Sequence, residues 1–153
     1  MNLFPWQKPK DFLNESERAS VLEAIRSAEK QTSGEVRVFL ESKCRYVDAI
    51  DRAQELFMQL QMQQTAERNG VIVYVAVKDR QAAVFGDEGI HQKVGDQYWN
   101  DEVTKMLLYF QKGNLGEGLQ KCVKAIGEAL KFYFPYNSET DKNELPDDIV
   151  FGK

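Results

Sequence analysis

The chain has 153 residues, 42% hydrophobic and 29% charged, which is the balance of one globular domain with a core of its own. Its 20 basic and 24 acidic side chains leave a net charge of −4 with no Lys/Arg stripe, which excludes the electrostatic footprint of a nucleic-acid binder. No run approaches the roughly 18 apolar residues that cross a bilayer, so the chain is not expected to span a membrane.

In chain order, residues 1–11 read as an N-terminal arm. Asn14 followed by Glu17 has the spacing of a capping box, which predicts a helix start there. Val21, Leu22, Ile25 and Ala28 then recur on one helical face, and Gly34 suits a left-handed stop. Val36, Val38 and Leu40 alternate with Arg37, Phe39 and Glu41, the period of a strand. A second helix is expected over about 47–62, with Ile50, Ala53, Leu56, Phe57 and Leu60 sharing a face.

Residues 70–77 form a nearly unbroken β-branched run, expected of a central strand buried on both faces. A polar break at 78–81 and the run Ala82–Gly86 complete a hairpin, so the third strand is antiparallel to the second. The helical crossover between the first two strands makes them parallel. Helices over about 96–112, closed by Gly113, and from Asn114, again with a glutamate three residues on at Glu117, to about Phe134 follow, and Pro135 ends the last. The predicted fold is α/β: a three-layer α/β/α sandwich around a small mixed sheet, in the order α-β-α-β-β-α-α, over residues 12–134.

Residues 135–153 hold five acids against two lysines, a net of −3, and read as an acidic tail peripheral to folding that serves contact with a partner. Cys44 and Cys122 lack C-x-x-C spacing, which argues against a zinc site or redox pair and reads as two buried thiols in a reduced compartment, with a single disulfide as the alternative. The opening residues lack the apolar core of a signal peptide, so the expected location is the cytoplasm.

This topology gathers residues 32–35, 66–70 and 86–91 at one end of the sheet. There stand the carboxylates Glu35, Glu67, Asp87 and Glu88 with Arg68, Asn69 and the lone histidine, His91. Asp87 and Glu88 on a glycine-bounded loop suit calcium or magnesium, and equally suit a turn in which Asp87 caps the next helix. Arg68 offers a planar donor fork to a phosphate or carboxylate, and equally to an internal ion pair with Glu35 or Asp87. His91 has the ordinary pKa of a proton-transfer group, although a lone histidine near a helix start is more often structural. No Cys-x5-Arg loop, Asp-x-Asp, Walker A, Gly-x-Ser-x-Gly or His-x-x-x-His motif is present.

The strings Ser33-Gly34-Glu35-Val36-Arg37-Val38, Thr65-Ala66-Glu67-Arg68-Asn69-Gly70-Val71 and Phe85-Gly86-Asp87-Glu88-Gly89-Ile90-His91, with Trp99 beyond, resemble the TPM-domain family, in its short bacterial branch. The resemblance implies an α/β/α sandwich, divalent-metal binding in some members and acid phosphatase activity in some plant members. It also implies company with LemA-type membrane proteins and longer TPM proteins. On that footing Asp87, Glu88 and Glu35 are the candidate ligands for Ca or Mg, and Arg68, Asn69 and His91 the candidate substrate-binding residues. No organic cofactor is expected. Two functions stay open: an accessory binding module, or a metal-assisted phosphomonoesterase.

Overall fold

The amide hydrogens of a first helical turn need acceptors, and the capping box supplies them. In the computed structural model, which describes residues 12–136 and 149–152, Asn14 Oδ1 accepts from the Glu17 amide at 2.8 Å, and Glu17 Oε1 accepts from the Asn14 amide at 3.0 Å. Helix α1 (Glu15–Glu29) leads into strand β1 (Glu35–Glu41), helix α2 (Ala49–Gln59), strands β2 (Gly70–Ala76) and β3 (Gln81–Gly86), and helices α3 (Glu88–Gln111) and α4 (Leu115–Tyr133). A fourth strand, β4 (Ile149–Phe151), completes the sheet.

The strand order is β3-β2-β1-β4. Strands β1 and β2 are parallel, from Glu35 opposite Gly70 to Glu41 opposite Ala76, and β2 and β3 are antiparallel, from Val71 opposite Gly86 to Ala76 opposite Gln81. The alternation expected from the sequence sorts the core. Val36, Val38, Leu40, Val71, Val73 and Val75 join the cluster built with α1, α3 and α4, whereas Phe39, Ile72, Tyr74 and Ala76 join the one built with α2. Every residue of β1 and β2 is buried, as interior strands require. The result is the α/β/α sandwich with a mixed sheet.

Five local expectations are corrected. The tail is not wholly peripheral: Ile149, 2% exposed, and its two successors pair in parallel with Val38, Phe39 and Leu40 of β1. Ile149, Val150 and Phe151, with Leu145 the only tail residues able to anchor it, form a triplet of strong strand propensity, and β1 had an open edge to offer it. The rest of the tail, 137–148, and the arm, 1–11, lie outside the described residues.

Gly34 is not left-handed, since only Gly95 and Gly113 have positive φ among the described glycines. A Cβ on Gly34 would stand 2.8 Å from Leu130 Cδ2, so close packing is what keeps this position small. Ile50 is 43% exposed and does not belong to the buried face of α2, while Met62, beyond that helix, is fully buried.

Helix α3 begins at Glu88, eight residues before the predicted start, and turns a corner at Gly95 (φ 81°, ψ 170°). That corner resets the apolar phase, which hides the first arm from a periodicity count. Asn114 precedes α4 but makes no side-chain cap, so the second capping box does not form. No described helix is long and apolar enough to cross a membrane.

Candidate functional site

The antiparallel hairpin returns the chain to the end of the sheet where β1 and β2 begin, and Asp87 follows β3 there. Arg68, in the left-handed region at φ 53°, aims its guanidinium at it. Nε reaches Asp87 Oδ2 at 2.7 Å and Nη2 reaches Oδ1 at 2.9 Å, a fork-on-fork pair, while Nη1 reaches Glu88 Oε1 at 3.2 Å. Asp87 Oδ1 also accepts from the Glu88 amide at 2.8 Å and so caps α3. These bonds, Asp87 above all, hold the Arg68 guanidinium firmly protonated by raising its pKa.

The backbone closes the same corner. The Gly89 amide donates to Arg68 O at 2.8 Å, and a Cβ on Gly89 would stand 2.1 Å from Glu67 O, so only glycine lets the two loops meet. Beside them Ser33 Oγ donates to Glu67 Oε2, and Asn69 Nδ2 donates to Ser33 Oγ at 3.0 Å. Asn69 is fully buried, and its Oδ1 has no hydrogen-bond partner among the described residues.

The predicted site residues are therefore divided. Arg68, Asp87 and Glu88 form one ion-paired cluster, and Asn69 a second with Ser33 and Glu67. Glu35, 2% exposed, stands at the first position of β1, with its amide directed to Asn69 O at 3.4 Å. His91 turns away from Arg68: its Nδ1 accepts from Trp99 Nε1 at 3.0 Å and its Nε2 stands 3.4 Å from Asp96. The bond from the indole places the neutral ring's proton on Nε2.

As arranged, these groups do not fit a divalent cation. Both Asp87 oxygens are engaged by Arg68, and calcium needs six or more oxygens converging on one point. Among the described residues no group of three or more His, Cys, Asp or Glu side chains is placed to hold a metal ion. The lone Asn69 Oδ1 does not make up that number.

A second polar cluster, at the opposite end of β1, went unforeseen. Glu41, 4% exposed, accepts from Arg52 Nη2 at 2.7 Å, Arg52 Nε at 3.1 Å and the Tyr74 hydroxyl at 2.6 Å. Arg52 also pairs with Glu55, which accepts from the Tyr46 hydroxyl, and lies over the Phe39 ring. The available signal was Glu41 itself, an acid at an alternate position of a buried strand, with Arg52 on the helix that packs over it. The Glu41 and Tyr74 oxygens are matched, which reads as a clamp between α2 and the sheet. Cys44 and Cys122 are both free thiols, and of the two only Cys122 is buried as expected, Cys44 being half-buried.

Against known proteins, a model described as the TPM domain matches residues 7–129. The NMR structure of the BA42 protein from the psychrophilic bacterium Bizionia argentinensis is 42% identical, with a TM-score of 0.82 over 92% of this chain and 96% of that one. The N-terminal domain of the cg2496 protein from Corynebacterium glutamicum shares the fold at 12% identity, with a TM-score of 0.63 over 95% of this chain and 92% of that one. So does the N-terminal domain of a P. gingivalis protein, at 18% identity and a TM-score of 0.59 over 88% and 96%. No protein with a curated description matches. The extent of the domain match and the identity to the Bizionia protein together settle the family: this chain belongs to the TPM-domain family.

Proposed function

We propose that this protein is a TPM-type accessory module that binds a partner and does not turn over a substrate at the Arg68 end. The observation that carries the reading is the closed pair of Arg68 and Asp87. A phosphomonoesterase at this end of the sheet would need Arg68 facing substrate, with a metal or nucleophile beside it. Here the arginine is held by two carboxylates of the same chain.

The nearest approach to a nucleophile and base is Ser33 with Glu67. The amides that would have to stabilise an oxyanion beside it are engaged, Ser33 N–H with Phe134 O at 3.1 Å and Gly34 N–H with Thr32 Oγ1 at 3.0 Å. The test is turnover of p-nitrophenyl phosphate by the full chain, with calcium or magnesium, from acid to neutral pH. Background hydrolysis, equal in Arg68→Ala, is expected; metal-dependent turnover lost in Arg68→Ala would overturn the reading.

The family resemblance extends the proposal to calcium and to LemA-type or longer TPM partners in the cytoplasm. Calcium binding here requires Asp87 to leave Arg68. A calcium-induced rise in melting temperature that disappears in Asp87→Asn would demonstrate that exchange. Co-purification with a LemA-type protein tests the partner.

A further inference from the structure

The corner at Gly95 has a consequence on the far side of β3. The two arms of α3 meet there at an angle, and with the start of α2 they enclose a groove of about 690 Å³ over β3. Its apolar lining includes Ile50, Phe85, Trp99 and Val103. Its charged lining is Asp48, Glu88 and Asp96, with no lysine or arginine. Glu88 shares Arg68, and Asp96 faces His91, but Asp48 makes no capping bond although it stands at the N-terminus of α2. Ile50 of that lining is 43% exposed, and Val47, three residues before it in the chain, is 93% exposed.

We infer that this groove docks a segment of a partner protein that carries an aliphatic or aromatic anchor beside lysine or arginine. The inference rests on the binding-module reading and gives it a surface. The anchor fills the space among Ile50, Trp99 and Val103, and the cation meets Asp48 and Asp96 at the rim. Val84 is only 2% exposed and Gly86 is buried, so at these two positions the strand itself offers a partner little surface and the contact falls on the side chains around them. Two copies of this chain joined through the groove would oppose their own carboxylates, which disfavours a homodimer there.

The experiment selects a random-peptide display library on the full chain, then titrates the enriched peptide, synthesised, into isotope-labelled protein. The expected result is enrichment of Lys or Arg next to a large apolar residue, with amide shifts concentrated at Ile50, Asp96, Trp99 and Val103. The double variant Asp48→Lys, Asp96→Lys, at exposed positions, should weaken binding by about tenfold or more, while Lys124→Glu on α4 leaves it unchanged. Failure to enrich any peptide, a preference for acidic peptides, or indifference to the charge reversal overturns the inference. So does a dimer broken by Val103→Glu, which makes a second copy the occupant. A shift of the same amides on deleting residues 1–11 also overturns it, because the chain's own arm would then fill the groove. Peptide shifts that map elsewhere remove the groove and leave the binding module standing, whereas no binding together with Arg68-dependent phosphatase turnover removes both.

Discussion

Replacing Arg52 by methionine tests the clamp at the far end of β1 and carries the largest expected cost. The Glu41 side chain is 6% exposed and that of Arg52 14% exposed. In Arg52→Met the Glu41 carboxylate keeps only the Tyr74 hydroxyl as donor, in a site too dry to hydrate it fully. Removing one partner of a buried pair costs about 3–5 kcal/mol, and the residual access of water around Arg52 favours the low end, about 3 kcal/mol. For a domain of this length each kcal/mol lowers the melting temperature by about 2–4 °C, so a fall of about 6–12 °C is expected.

Urea and thermal unfolding followed by circular dichroism measure the loss. The triple variant Glu41→Leu, Arg52→Met, Tyr74→Phe should recover most of it, because removing every polar member leaves nothing unpaired. A single variant within about 1 kcal/mol of wild type, or a triple variant no more stable than the single, would refute the reasoning.

Four further outcomes are expected. Asp87→Asn retains an N-cap but loses the charge paired with Arg68, so it should melt below wild type without any metal present, and Asp87→Ala should lose about 1 kcal/mol more with the cap; an Asp87→Asn protein melting above wild type would mark the pair as strained for a function. Ile149→Ala should cost about 2 kcal/mol in urea unfolding, and an unchanged midpoint would detach β4 from the sheet. Burial pushes the Cys122 thiol up to about 12, so the folded state holds this proton more tightly than the unfolded chain does. The associated stability is complete below about pH 8.5 and declines as pH rises toward 12, with a shallower alkaline decline in Cys122→Ala. In native protein a thiol reagent should modify Cys44 well before Cys122, and equal rates would contradict the burial.

The candidate site was legible in part. Strand directions follow from connection lengths, so Arg68 and Asp87 were expected at one end of the sheet, and the structure brings them together. Whether they face a ligand or each other depends on distances of a fraction of an ångström, which residue types do not encode. His91 illustrates the same limit. Its partner Trp99 lies eight residues on, across a corner that a single glycine creates, and a straight helix would have set the two about 12 Å apart along its axis.

Local chemistry alone determined the first helix cap, the alternation of β1, the hairpin and the buried strand at 70–76, because each depends on neighbours a few residues away. Tertiary structure decided the rest. The short strand β4 forms only because β1 has an unpaired edge to receive it, about 110 residues earlier in the chain. Glu41 is tolerated in the interior only because α2 delivers Arg52 and β2 delivers Tyr74 to its oxygens. The groove exists only because α2 and the two arms of α3 converge over β3. In each case the deciding interaction joins groups distant in sequence, and its strength is set by burial that the assembled fold alone creates.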